Sequence, residues 1–200
     1  YEAIDPVRFI GNHSSGKTGY ALAEAAIAMG AHVTLVSGPS SERIPYGLSE
    51  FVRISSAEQM QQAMETRFDD CELCIMSAAV ADYRPSEVAD KKVKKSEDVW
   101  TIALEKNADI LQSLGKRKAH QKLVGFALET NDGEANAKGK LEAKNLDAIL
   151  LNEPGAHTGF GTETNKFTIF TSDNNSVELE LSSKQELAVK TLDLLCDNYF

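Results

Sequence analysis

The stretch Gly-Asn-His-Ser-Ser-Gly-Lys-Thr, Gly11 to Thr18, matches G-x-x-x-x-G-K-[ST] at every fixed position. In a P-loop, such residues cradle phosphates with backbone N–H groups, and a lysine and hydroxyls stand beside them. That chemistry needs a buried strand leading into the first glycine and a partner strand ending in Asp to hold magnesium. "DPVRFI" offers at most four strand residues, with Pro6 and Arg8 in or beside them. The candidate partner strands, "LCIM" and "AILL", run into Ser77 and Asn152 rather than Asp. A dinucleotide site fits less well. The glycines are Gly11, Gly16 and Gly19 rather than G-x-G-x-x-G, and the next strand ends in Ser37 where an acid would hold a ribose. An anion-binding helix start remains: Ser14, Ser15 and Gly16 before an alanine-rich helix, with Lys17 beside them.

Other reactive residues form weaker patterns. Cys71 and Cys74 make a C-x-x-C at the entry of an apolar run, without a second pair, and read as structural cysteines. His13, His32, His120 and His157 have no ligand spacing, so no metal ligands are identified. "KKVKK", from Lys91, is a cationic run in a chain of net charge -9. It suits a polyphosphate better than nucleic acid, because no aromatic residues interleave it.

These residues need a scaffold, and the pattern supplies one. Helices are expected from Lys17 to Met29, from Ala57 through Met64, from Asn107 as cap through Leu114, over Asp132–Lys144, and after the capping box Ser183–Glu186. Ser14 or Ser15 is expected to cap the first helix. Strands are expected at "HVTLVSG", "FVRI", "LCIMSA", "VWTIALEK", "KLVGFAL" and "DAILLN", then a hairpin of "KFTIFT" and "SVELEL". The alternation predicts an α/β, Rossmann-like three-layer domain with a largely parallel sheet and a late antiparallel hairpin, one domain over 1–200. Residues 78–98 read as a polar loop or lid, and 153–165 as a loop. Ligands in such sheets sit past the strands' carboxyl ends, where the loops at 11–15, 77–84 and 129–132 emerge.

Composition sets the bounds. Net charge -9 argues against a general nucleic-acid binder. No apolar run approaches a membrane span and no signal peptide appears. Three cysteines fit a reduced, cytoplasmic protein.

The ordered set "DPVRFIGNHSSGK", "TLVSGP", "AAVADYRP", "KKVKK", "KNADIL", "VGFALET" and "KNLD" resembles the phosphopantothenate–cysteine ligases, in particular the bacterial type that uses CTP. The resemblance covers nearly the whole chain. It implies a dimeric enzyme of coenzyme A biosynthesis whose substrates are 4′-phosphopantothenate, L-cysteine and CTP, with Mg2+. The carboxylate would attack the α-phosphate of CTP to form an acyl-cytidylate, and cysteine would displace CMP. It also implies a first strand before Tyr1 and, in many bacterial members, fusion to a flavin-dependent decarboxylase. By matching positions, Asn12 would contact the acyl intermediate, Asp82 would be an active-site aspartate, and Lys92 would contact the nucleotide. Ser77, Ala78 and Ala79 would line nucleotide and intermediate. Ala108, Asp109, Ile110, Leu111, Phe126, Lys140 and Lys144 would bind nucleotide, and Ser14, Ser15 and Gly16 an anion. The family usually has Met at the position of Thr18 and often Ser at that of Gly11, so the complete P-loop pattern arises from two departures.

Overall fold

A computed structural model describes residues 1–94, 99–152, 155 and 162–199. In chain order the elements are β1 (Glu2–Ala3), β2 (Phe9–Ile10), α1 (Lys17–Ala28), β3 (Thr34–Ser37), β4 (Glu50–Arg53), α2 (Ala57–Glu65), β5 (Leu73–Met76), β6 (Tyr83–Pro85), β7 (Leu104–Lys106), α3 (Ile110–Arg117), β8 (Lys122–Leu128), α4 (Gly133–Ala143), β9 (Ala148–Asn152), β10 (Thr164–Thr171), β11 (Ser176–Ser183) and α5 (Lys184–Tyr199).

The main sheet has the order β11-β10-β9-β8-β5. β5, β8 and β9 run parallel, and β10 and β11 add the antiparallel hairpin. β3 and β4 form a separate parallel pair. Side chains alternate between the two faces of each strand. Leu123, Ala127, Ile149, Leu151 and Phe170 pack with Met60, Phe68, Ile110, Leu114, Ala137 and Leu141 under α2, α3 and α4. Val124, Ala148, Leu150, Phe167 and Ile169 face the other way, toward Leu187 and Leu195 of α5. α1 packs on α5 through Ala21, Leu22, Ala25, Ala188 and Leu192. The three-layer α/β fold is therefore present. β8 and β9 are apolar along both faces because helices cover both. Each large side chain buried this way contributes about 1.5–3 kcal/mol. No helix among the described residues is long and apolar enough to cross a membrane.

Three readings are corrected. "DPVRFI" is no core strand: β2 pairs antiparallel with β1 in a short hairpin. The polar stretch after Ser77 contains β6, which pairs antiparallel with β7, and "VWTIALEK" contributes only Leu104–Lys106 to that ribbon. The first and third helices take different caps from those expected, as detailed below. Within the expected loops, residues 95–98, 153–154 and 156–161 lie outside the described residues.

Candidate active site

The main cavity measures about 890 Å³ and opens at the carboxyl ends of the parallel strands. Five chain segments wall it. The first is the loop after β2. It contains the P-loop pattern, but a two-residue antiparallel strand feeds it, so the strand–loop–helix geometry of a P-loop is not formed. Asn12 donates from Nδ2 to the Val80 carbonyl at 3.0 Å, tying this loop to the turn after β5. Gly16, not Ser14 or Ser15, is the N-cap of α1. Its φ is 83°, a left-handed conformation suited to glycine, and no side chain caps the helix. Ser15 Oγ takes only a long bond, 3.4 Å, from the Lys17 N–H. Ser14, Ser15 and Gly16 all line the cavity.

Ser77, Ala78, Ala79 and Asp82 form the second wall, past the end of β5. Gly19 lets α1 approach it closely: a Cβ there would lie 2.8 Å from Ser77 Oγ. The turn is pinned from the third wall by buried Asn107, whose Nδ2 donates to the Ala81 carbonyl at 2.8 Å and whose N–H donates to the Asp82 carbonyl at 2.8 Å. Asn107 is thereby occupied, and Asp109 caps α3 instead, accepting from the Gln112 N–H at 2.9 Å. Arg84 pairs with Glu105 at 2.8 Å rather than with Asp82.

Ala108, Asp109, Ile110 and Leu111 also line the cavity. Burial pushes the Asp109 carboxyl up, but its bonds to Lys144 and to the Gln112 N–H outweigh this and hold it below the ordinary range. Lys144 meets Asp109 at 2.8 Å, and Lys140, one turn earlier, meets Glu129 at 2.5 Å. Both lysines line the cavity, so their ammonium groups are held in place by carboxylates. Phe126 of β8 lines it too, braced edge-on by Phe167 with ring centroids 5.7 Å apart.

Lys92 stands apart. It is exposed and does not line the cavity. Its segment is docked on the β1–β2 hairpin, whose Glu2 does line it. Asp5, in the hairpin turn, accepts from the Val93 N–H at 3.2 Å, and Arg8 donates to the Val93 carbonyl at 2.8 Å. Arg8 also pairs with Asp5 and stacks on Trp100, 4.4 Å from the ring centroid. The last lysine of the run, Lys95, lies outside the described residues.

Several site residues escaped the sequence reading. Asn152, at the carboxyl end of β9, lines the cavity with a buried Oδ1 that accepts no hydrogen bond among the described residues. Its position past a parallel strand is the signal that marks it. Glu129 matters only through Lys140, a pairing across eleven residues that no local pattern reveals. Lys17, Asn165 and Lys184 also line the cavity. The site thus offers a helix start, several cations and an amide donor around one chamber. That set can hold a polyphosphate and polarise a carbonyl.

Comparison with known proteins agrees with this geometry. The family model described as the DNA/pantothenate metabolism flavoprotein C-terminal domain matches residues 1–198. The chain is 48% identical over 192 residues to the coenzyme A biosynthesis bifunctional protein CoaBC of Bacillus subtilis (strain 168), covering 96% of this chain and 47% of that protein. It spans about half the length of the curated relatives it matches. A crystal structure of the C-terminal domain of a CoaBC bifunctional protein superposes with a TM-score of 0.83 at 39% identity, covering 97% of this chain and 88% of that one. A Cab2 variant in complex with phosphopantothenate-cysteine shares the fold, with a TM-score of 0.77 at 16% identity over 99% of this chain and 83% of that one. The chain therefore belongs to the family of DNA/pantothenate metabolism flavoprotein C-terminal domains.

Proposed function

We propose that this chain is a cytoplasmic phosphopantothenate–cysteine ligase of coenzyme A biosynthesis. It joins 4′-phosphopantothenate to L-cysteine using CTP, through an acyl-cytidylate, and releases CMP and pyrophosphate. The observation that carries the reading is the convergence, in one cavity, of the α1 start, the Asn12–Val80 contact and the lysine pair Lys140 and Lys144. A carboxylate is a poor acyl donor, and a nucleotide ester gives it a leaving group. The site must neutralise phosphate charge, hold the acyl carbon and exclude water from the anhydride.

Roles follow from position. Asn12 donates to the acyl oxygen as charge builds there. Lys140 and Lys144 face the phosphates, with Phe126 and the segment from Ala108 to Leu111 around the nucleoside. Lys92 reaches the nucleotide from the hairpin to which its segment is clamped. Mg2+ travels with the triphosphate. Among the described residues no three His, Cys, Asp or Glu groups converge as a cage, and magnesium bound by phosphates needs only one or two carboxylates. Asp82, on the cavity wall, is suited to that part.

A homodimer is also proposed. Exposed Val7, Phe9, Tyr83 and Leu104 gather on the β1–β2 hairpin and the β6–β7 ribbon, which touch each other. A decarboxylase partner, fused or separate, fits the name "bifunctional" carried by the relatives.

The test is pyrophosphate release from CTP, measured with and without 4′-phosphopantothenate and cysteine. Release that requires the acid, with peptide product only when cysteine is added, is expected. Orthophosphate release independent of both would overturn the reading in favour of an NTPase.

A further inference from the structure

Lys17 and Lys184 hold no role in the reading above, yet they open two helices that meet the cavity. Both lysines line the main cavity, and both also line a second one of about 120 Å³, which Glu42 and Glu163 help to wall. Lys17 pairs with Glu163, and the Lys184 N–H donates to the Glu163 carbonyl at 3.0 Å. The two ammonium groups are thus brought together where the α1 start faces the chamber.

Lys184 is placed at a cost. It is only 5% exposed, and lysine is almost never buried to that degree without a partner charge. It occupies the first turn of α5, where the helix dipole disfavours a cation. Burial first, then the charge of Lys17, pull its ammonium below the ordinary lysine range, and the attraction of Glu163 and Glu42 does not offset them. Simple packing would be better served there by an apolar or polar neutral side chain. A second cation beside Lys17 becomes favourable when an oxyanion enters between them and the free N–H groups of α1.

We propose that Lys184, together with Lys17, is the cationic wall of a phosphate subsite at the start of α1. The ligand class is a phosphate ester or polyphosphate oxyanion. Two sources fit under the ligase reading, on which this inference builds: the triphosphate of the nucleotide, or the phosphate of the acid substrate.

The experiment compares the wild-type chain with Lys184→Gln and Lys184→Arg. Initial rates are taken while CTP, 4′-phosphopantothenate and cysteine are varied in turn with the other two saturating. Lys184→Gln should raise KM for one phosphate-bearing substrate about 10- to 100-fold, the usual effect of losing a bond to a charged group, and leave KM for cysteine unchanged. The substrate affected identifies the source, and Lys184→Arg should recover most of the loss. In parallel, thermal unfolding is followed with inorganic triphosphate and with orthophosphate. Triphosphate should raise the wild-type Tm and raise that of Lys184→Gln much less. If Lys184→Gln does not fold, Lys184→Met keeps the apolar stem and is measured instead. A folded variant with both KM values and the triphosphate shift unchanged overturns the proposal. So does a variant in which all three KM values move together and arginine restores none of them. If the wild-type chain makes no product at all, the ligase reading fails, while the triphosphate arm still decides the subsite.

Discussion

Asn12 has two amide N–H groups, and one of them is engaged by the Val80 carbonyl. That bond fixes the plane of the amide, so the second N–H has a set direction before any substrate enters. A donor preorganised in this way stabilises charge as it develops and gives little to the ground state. Asn12→Ala should therefore lower kcat by about 10²–10³-fold, or about 2.7–4 kcal/mol, with a smaller change in the CTP KM. Single-turnover assays of acyl-cytidylate formation and use would locate the loss, and wild-type turnover would remove Asn12 from the mechanism. At this scale the sequence was legible where a residue's role is local or motif-borne. Asp109 and Lys144 were read as site residues and meet in one ion pair. The capping role was misplaced on Asn107 because Asn and Asp two residues apart are equivalent caps by type. Only the tertiary bonds of Asn107 to Ala81 and Asp82 decide between them. Glu129 and Lys184 were invisible for the same reason: their meaning lies in burial and in partners far along the chain.

Elements place these residues through two close approaches. In the first, α3 meets the end of α4 at Gly115, where an added Cβ would lie 1.9 Å from the Lys144 carbonyl oxygen. Asn145 locks the contact by donating to the Gly115 carbonyl at 2.9 Å. Alanine gains about 1 kcal/mol of helix propensity over glycine. Overpacking against backbone costs about 1–3 kcal/mol or more, and at this separation it wins. Gly115→Ala should lower the urea midpoint and, by displacing Lys144, raise the CTP KM. The second approach is the clamp of Asp5 and Arg8 on Val93. Arg8 holds the Asp5 carboxyl far below the usual carboxylate range, against its burial, with help from the N–H groups of Val7, Val93 and Arg8. A depressed acid contributes stability that is complete above its unfolded value, near pH 4, and is lost only as pH falls through the lower folded value. Asp5→Asn should therefore destabilise the protein at pH 7, and the gap to wild type should close only at strongly acid pH. Denaturant titrations of both proteins from pH 7 downward would measure this; a gap that is the same at every pH would mean the carboxylate charge contributes nothing. Neither hairpin nor ribbon was legible beforehand. Their strands are two or three residues long, largely exposed, and paired across up to 23 positions, as Tyr83 is with Lys106, so no period marks them. The long buried strands β8 and β9 were plain because helices cover both faces.

The whole molecule combines a net charge of -9 with an apolar patch on its least regular part. Val7 is 62% exposed, Tyr83 51% and Leu104 47%, on two short antiparallel pairs in contact with each other. Contiguous apolar surface of this kind marks an association site. A stable interface needs about 800 Å² from each partner, and self-association lets one patch serve both copies. The ribbon that carries the patch continues from the turn that carries Asp82, and the hairpin holds the segment that carries Lys92. A second copy seated there would order both catalytic candidates at once, which ties assembly to activity. The double substitution Val7→Asp and Leu104→Asp should convert a dimer to a monomer in sedimentation equilibrium. The β8–β9 core lies elsewhere, so the far-ultraviolet circular dichroism should stay native. Ligase turnover should fall with dissociation and recover as protein concentration rises, because mass action restores the dimer. A monomeric double variant with full turnover at low concentration would show that one chain completes its own site, and the placement of Lys92 outside the cavity would then need a movement within the subunit to bring it to the nucleotide.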